Sequence, residues 1–148
     1  MQTPEAFDVS TDDAPPPAAG SLQPSTPPAV TWRLLVVDDE PNLLDLARLI
    51  FAEAQVATVE EPQRAIAEVE QATFDVALVD VSMPEMDGWE LMERLRDLDP
   101  ALPVIIMSGY VDPERVREHQ PAAVVAKPYE ARALADTVAR VIAEHPRP

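Results

Sequence analysis

Residues 76–88 read VALVDVSMPEMDG: four apolar residues, an aspartate at position 80, then a loop holding Met83, Pro84, Asp87 and Gly88. The apolar run is too short for a helix and rich in β-branched side chains, which reads as a buried strand. Four further runs have the same character, RLLVV (33–37), VATV (56–59), VIIM (104–107) and AVVA (123–126). Between them apolar residues recur at helical spacing: Leu43, Leu46 with Ala47, Ile50 and Ala54; Leu91 with Met92, Leu95 and Leu98; Leu134, Val138 and Val141. Residues 62–72 and 113–119 complete the series as shorter, weaker helices, and Pro41 suits the first turn of the first one. Strands apolar on both faces, alternating with helices, imply a parallel sheet covered on both sides. The expected fold is a five-stranded α/β sandwich.

In open parallel sheets the ligand crevice lies beyond the carboxyl ends of the strands. Asp80 ends the third run there, Asp38 and Asp39 end the first, Ser108 ends the fourth and Lys127 ends the fifth. Each alone has a bland explanation: Asp39 could cap the helix at Pro41, and Ser108 could open a turn with Gly109. Together they deliver three carboxylates, a hydroxyl and an ammonium to one edge. Two carboxylates about 4 Å apart repel by roughly 4 kcal/mol at an effective dielectric near 20, so three force protonation unless a cation intervenes. Mg²⁺ suits such a set, because it takes one or two carboxylates and shares its remaining positions with water and phosphate oxygens. Calcium is disfavoured by the lack of a D-x-D-x-D-G loop. Zinc is disfavoured by the lack of cysteine and by the placement of His119 and His145 on or after surface helices. A carboxylate nucleophile of the kind that forms an aspartyl phosphate is the chemistry left.

Composition narrows the class further. The 148 residues carry 27 acids against 11 Lys and Arg, a net charge of -16 that argues against a nucleic-acid surface. No segment reaches the roughly 18 apolar residues of a membrane helix, and the N-terminus lacks the order of a signal peptide, so a cytoplasmic protein is expected. Residues 1–31 hold seven of the 17 prolines, four acids and no Lys or Arg. Such a segment reads as a disordered leader, with a docking motif as the alternative, ahead of a domain at 32–148.

The motifs VVDDE, LVDVSMPEMDG, MSGY and KP, in this order and spacing, make residues 33 to about 144 resemble the receiver domain of two-component response regulators. The resemblance implies a doubly wound, flavodoxin-like (βα)5 domain with strand order 2-1-3-4-5. It implies that Asp80 is phosphorylated by a sensor histidine kinase or phosphotransfer protein. Asp38 and Asp39 would organise Mg²⁺, with Asp80 and the main-chain carbonyl of Ser82 as further ligands. Ser108 would hydrogen-bond the phosphoryl group, and Lys127 would pair with Asp80 and then with a phosphoryl oxygen. Lys127 is the chain's one lysine, and a compact ammonium follows charge at a single oxygen better than a planar guanidinium. Pro84 and Gly88 read as structural residues of the loop.

Two departures from the family pattern stand out. Val124 occupies the position, three before the lysine, where the family usually has Phe or Tyr, and the span from Ser108 to Lys127 is about two residues short. A weak or truncated fourth helix is expected, with Ser108, Tyr110 and Val124 as candidate switch residues. Only HPRP follows the fifth helix, so a stand-alone receiver acting on an unknown downstream protein is the expected form. A relay intermediate or phosphate sink, a pseudo-receiver and an aspartate-nucleophile phosphatase are the alternatives. The last wants D-x-D at the first strand, which VVDDE lacks.

Overall fold

The computed structural model describes residues 32–147; residues 1–31, where the sequence leads one to expect a disordered leader, and Pro148 lie outside them. Five strands, β1 (Arg33–Val37), β2 (Gln55–Val59), β3 (Val76–Asp80), β4 (Val104–Ser108) and β5 (Ala123–Ala126), alternate with five helices. These are α1 (Pro41–Ile50), α2 (Pro62–Gln71), α3 (Gly88–Leu98), α4 (Pro113–His119) and α5 (Ala131–Glu144). The strands form one sheet in the order β2-β1-β3-β4-β5, with every pair parallel. This is the flavodoxin-like arrangement the sequence implies.

Strand alternation divides the core into two layers. Leu35, Val37, Ala77, Val79, Val104 and Ile106 pack with α2 and α3, and Val116 of α4 leans on the same layer. Leu34, Val36, Val76, Leu78, Ile105 and Met107 face the other way, onto α1 and α5. The central strands β3 and β4 are buried along their whole length. This is why their sequences show unbroken apolar runs rather than alternation.

The helices begin where local chemistry directs. Proline stands in the first turn of α1, α2 and α4, where its missing N–H costs nothing and its fixed φ is already helical. Asp87 caps α3 by accepting a hydrogen bond from the Glu90 N–H at 2.8 Å. One boundary differs from the periodicity. Ala54 belongs to the turn after α1, where its N–H donates to the Phe51 carbonyl, and Gln55 is already tied to the Trp32 carbonyl at 2.8 Å. The helix stops early because β2 has to pair from Gln55 onward with Arg33 of β1. The expected weakness of α4 is present: seven residues, none of them buried. Among the described residues no helix is long and apolar enough to cross a membrane.

Candidate functional site at the carboxyl edge of the sheet

β1 and β3 are adjacent, so Asp38, one residue past β1, and Asp80, the last residue of β3, stand side by side. Both are buried, and Asp39 is more open. Carboxylate oxygens of Asp38, Asp39 and Asp80 all lie within 4.8 Å of one another. Asp38 is oriented through Oδ1, which accepts a hydrogen bond from the Glu40 N–H at 3.0 Å. The capping role open to Asp39 is not used: Glu40 is the N-cap of α1, and no side chain bonds to the helix start.

Lys127 follows β5 and reaches over β4 to the acids. Its Nζ donates to Asp38 Oδ2 and to Asp80 Oδ1, each at 3.0 Å, and stands 3.9 Å from Glu40 Oε1. The reach is set by the sheet, since the Lys127 N–H donates to the Ser108 carbonyl at 2.8 Å and so continues the β4–β5 ladder past the last paired residues. Burial pushes the Asp80 carboxyl above the ordinary carboxylate range; the Lys127 hydrogen bond opposes this, and the Asp38 charge adds to it. Burial works to lower Lys127, but its hydrogen bonds to Asp38 and Asp80 outweigh that cost and hold it above its usual value. The ammonium is therefore charged at neutral pH. Asp80 must share it with Asp38.

One ammonium facing four carboxylates leaves the site strongly negative. The donor set fits a hard divalent cation: all oxygen, two of its acids buried, and open toward Asp39. Asp38, Asp39 and Asp80 could hold such an ion. Ser82, whose carbonyl was expected to join them, lies two residues beyond Asp80 in the exposed part of the loop.

Ser108 ends β4 and is buried. Its hydroxyl is engaged within its own turn, donating to the Tyr110 carbonyl and accepting from the Tyr110 N–H at 3.1 Å. The turn with Gly109 that the sequence left open is thus formed. Tyr110 is 76% exposed, and Val124 is half-buried opposite Ile106 on the α4 side of the sheet.

Gly88, read from the sequence as structural, gains its reason here, and two further residues escaped the sequence. Gly88 has no positive φ; it is required by space, since a Cβ there would lie 2.5 Å from the Asp80 carbonyl oxygen and 2.8 Å from the Val81 Cα. Glu40 joins the environment of Lys127, a role hidden behind its place as N-cap. Tyr129 sits beside the site, its hydroxyl pushed up first by burial and then by the Asp38 charge. With Glu40, Leu43, Leu46, Lys127 and Pro128 it lines a cleft of about 460 Å³. The adjacency to KP was the signal available for Tyr129.

A buried acid pair bridged by a lysine, at the carboxyl edge of a 2-1-3-4-5 sheet, defines a particular class of signalling domain. The model of the response regulator receiver domain matches residues 34–139, and the chain belongs to that family, which serves signal transduction in two-component systems. It is 34% identical over 113 residues to the response regulator protein FleR of Pseudomonas aeruginosa, covering 73% of this chain and 24% of FleR. It is also 34% identical over 118 residues to the sensory/regulatory protein RpfC of Xanthomonas campestris, covering 74% of this chain and 16% of RpfC. The chain therefore spans a quarter or less of these curated relatives. A CheY-like response regulator receiver domain protein from Methanospirillum hungatei superposes with a TM-score of 0.73 at 28% identity, covering 78% of this chain and 96% of that one.

Proposed function

We propose that the protein is a phosphoacceptor in which Asp80 takes a phosphoryl group from a sensor histidine kinase or phosphotransfer protein, in a Mg²⁺-dependent reaction. The single observation that carries this reading is the bridge of Lys127 between Asp38 and Asp80, at 3.0 Å to each, inside an otherwise acidic site. In the transfer, a carboxylate oxygen of Asp80 forms a bond to phosphorus as the bond from phosphorus to the donor's imidazole nitrogen breaks. Bound Mg²⁺ would supply positive charge to the phosphoryl oxygens as they enter a negative site. Asp38 and Asp39 are its proposed carboxylate ligands, with Asp80 and the Ser82 carbonyl. Lys127 moves from the Asp80 carboxylate to a phosphoryl oxygen while keeping Asp38, and Ser108 gives up its Tyr110 contacts to donate to another.

The consequence is a change of surface read by a downstream protein, with Ser108, Tyr110 and Val124 as the switch residues. Tyr110, two residues beyond Ser108, carries an exposed aromatic side chain that can repack against the loop when the hydroxyl turns, whereas Val124 is β-branched and stiff. Tyr110→Ala should therefore disturb the response more than Val124→Ala. Likeness to sensory proteins such as RpfC favours a relay intermediate as the second reading.

Incubation with acetyl phosphate and Mg²⁺ tests the proposal. The intact protein should gain one phosphoryl mass, which Asp80→Asn abolishes. An unchanged mass, under conditions that label another receiver, would favour an interaction module that accepts no phosphate.

A further inference from the structure

Helix α4 is attached unevenly. It has no buried residue, and it contributes only the partly buried Val116 to the adjoining core layer. Its carboxyl end, by contrast, is gripped by α3. The Arg96 guanidinium donates to the main-chain carbonyls of both His119 and Gln120. Glu93 Oε2 meets His119 Nδ1 at 2.8 Å. The Trp89 ring stacks on the His119 ring, with centroids 5.2 Å apart and planes 22° from parallel. Gln120 closes the helix in the left-handed region at φ 51°, its N–H donating to the Val116 carbonyl.

The grip comes from well-anchored residues. Trp89 is 5% exposed and follows Gly88, the residue pressed against the Asp80 carbonyl. The amino end of α4 has no comparable hold. Asp112 caps it through the Glu114 N–H at 3.0 Å, and its link to the sheet is the short segment 109–111, which is held to Ser108 by that residue's hydroxyl. Nothing lies within 4 Å of a Cβ placed on Gly109, so the segment has room to move.

We propose that Trp89, Glu93 and Arg96 form a clasp that makes the His119–Gln120 end of α4 a fixed pivot, about which the amino end swings when the Ser108 hydroxyl leaves Tyr110. The device does for this chain what Val124, standing in place of a moving aromatic, cannot. A helix of seven residues is a rigid lever, so release at one end with the other held gives rotation rather than detachment. The swing rests on the phosphoacceptor reading; the clasp does not.

Two measurements on the full-length protein separate these parts. In the resting protein, amide hydrogen exchange at His119 and Gln120 should be slow, and Arg96→Ala should speed it by about tenfold or more by removing two charge-assisted hydrogen bonds. Exchange in the β3 and β4 amides should be unchanged. Should Arg96→Ala fail to fold, Arg96→Lys, which can serve only one carbonyl well, provides the same comparison. Equal exchange at His119 and Gln120 in the wild type and in the folded variant would overturn the clasp. Addition of beryllofluoride with Mg²⁺ should then shift the amides of residues 109–114 strongly and those of 118–120 little. In Arg96→Ala the shifts should spread through 118–120, with Asp80 labelling retained. Shifts as large at His119 as at Tyr110 in the wild type would overturn the pivot. Loss of Asp80 labelling in the wild type would instead overturn the phosphoacceptor reading, and the swing with it, while the exchange result still decides the clasp.

Discussion

The β3–β4 centre and the α4–β5 flank are built on opposite terms. Every residue of β3 and β4 is buried, and α3 adds five buried residues against them. In β5 only Val125 is buried, and α4 buries none. The centre holds Asp80 by close packing, whereas in the flank β5 is held by its ladder to β4 and α4 mainly by contacts at one end. The difference suits the proposed phosphoryl chemistry to the part that cannot shift and the proposed response to the part that can, because packed apolar interiors resist small displacements and exposed hydrogen bonds exchange readily with water.

The largest expected contrast is in stability. Leu78→Ala in β3, fully buried, should cost about 2–5 kcal/mol, and Val116→Ala in α4 less than about 1 kcal/mol. Urea unfolding of both variants checks this, and equal costs would erase the distinction between centre and flank.

Gly88→Ala should cost about 1–3 kcal/mol, because the added methyl meets the backbone of Asp80 and Val81 rather than a flexible side chain. Displacement of that backbone should also slow phosphoryl labelling of Asp80. A variant with wild-type stability and labelling would show that the loop yields easily, and that the site is less rigid than its packing indicates.

A smaller effect comes from the charges in the metal-free protein. The Asp80 carboxyl is raised above its unfolded value of 3.8. Its contribution to stability is thus full below that value and lost as pH rises through the folded one. Lys127 is also raised, so its contribution is full below 10.5 and disappears only as pH rises through its higher folded value. Asp80→Asn should therefore remove the fall in melting temperature that accompanies rising pH on the acid side, and should draw the alkaline limb toward lower pH, because Lys127 loses one of the two partners that raise it. An unchanged acid limb in this variant would assign that titration to other groups.

The smallest effect sharpens the description of the flank. Gln120 adopts φ 51° without being glycine, a conformation that costs an L-residue about 1–2 kcal/mol, partly offset by the greater chain entropy that glycine loses on folding. Gln120→Gly should stabilise the protein by about 0.5 kcal/mol in thermal unfolding, and destabilisation would show that the Gln120 side chain contributes to the clasp.

Much of this was legible in the linear text. The apolar runs located all five strands, since a strand buried on both faces leaves no room for polar residues. The polar residues ending those runs marked the site edge, because parallel strands all end on the same side. Helix starts followed Pro41, Pro62 and Pro113, whose effect on the backbone is local. Local patterns could not settle the end of α1, where periodicity carried on to Ala54 while β2 pairing required the helix to stop. The closeness of Gly88 to Asp80 was also hidden, since glycine in a loop gives no sign of whether φ or space demands it.

By itself, then, the sequence determined the layered α/β architecture and the identity of the acids, hydroxyl and lysine at its edge, because period and composition are properties of the chain. Only the tertiary structure decided that one ammonium is shared between Asp38 and Asp80, that Ser108 is occupied by its own turn, and that α4 is fixed at one end by Trp89, Glu93 and Arg96. Each of these depends on distances between residues far apart in the chain, and those distances are set by how the strands register and how the helices pack upon them.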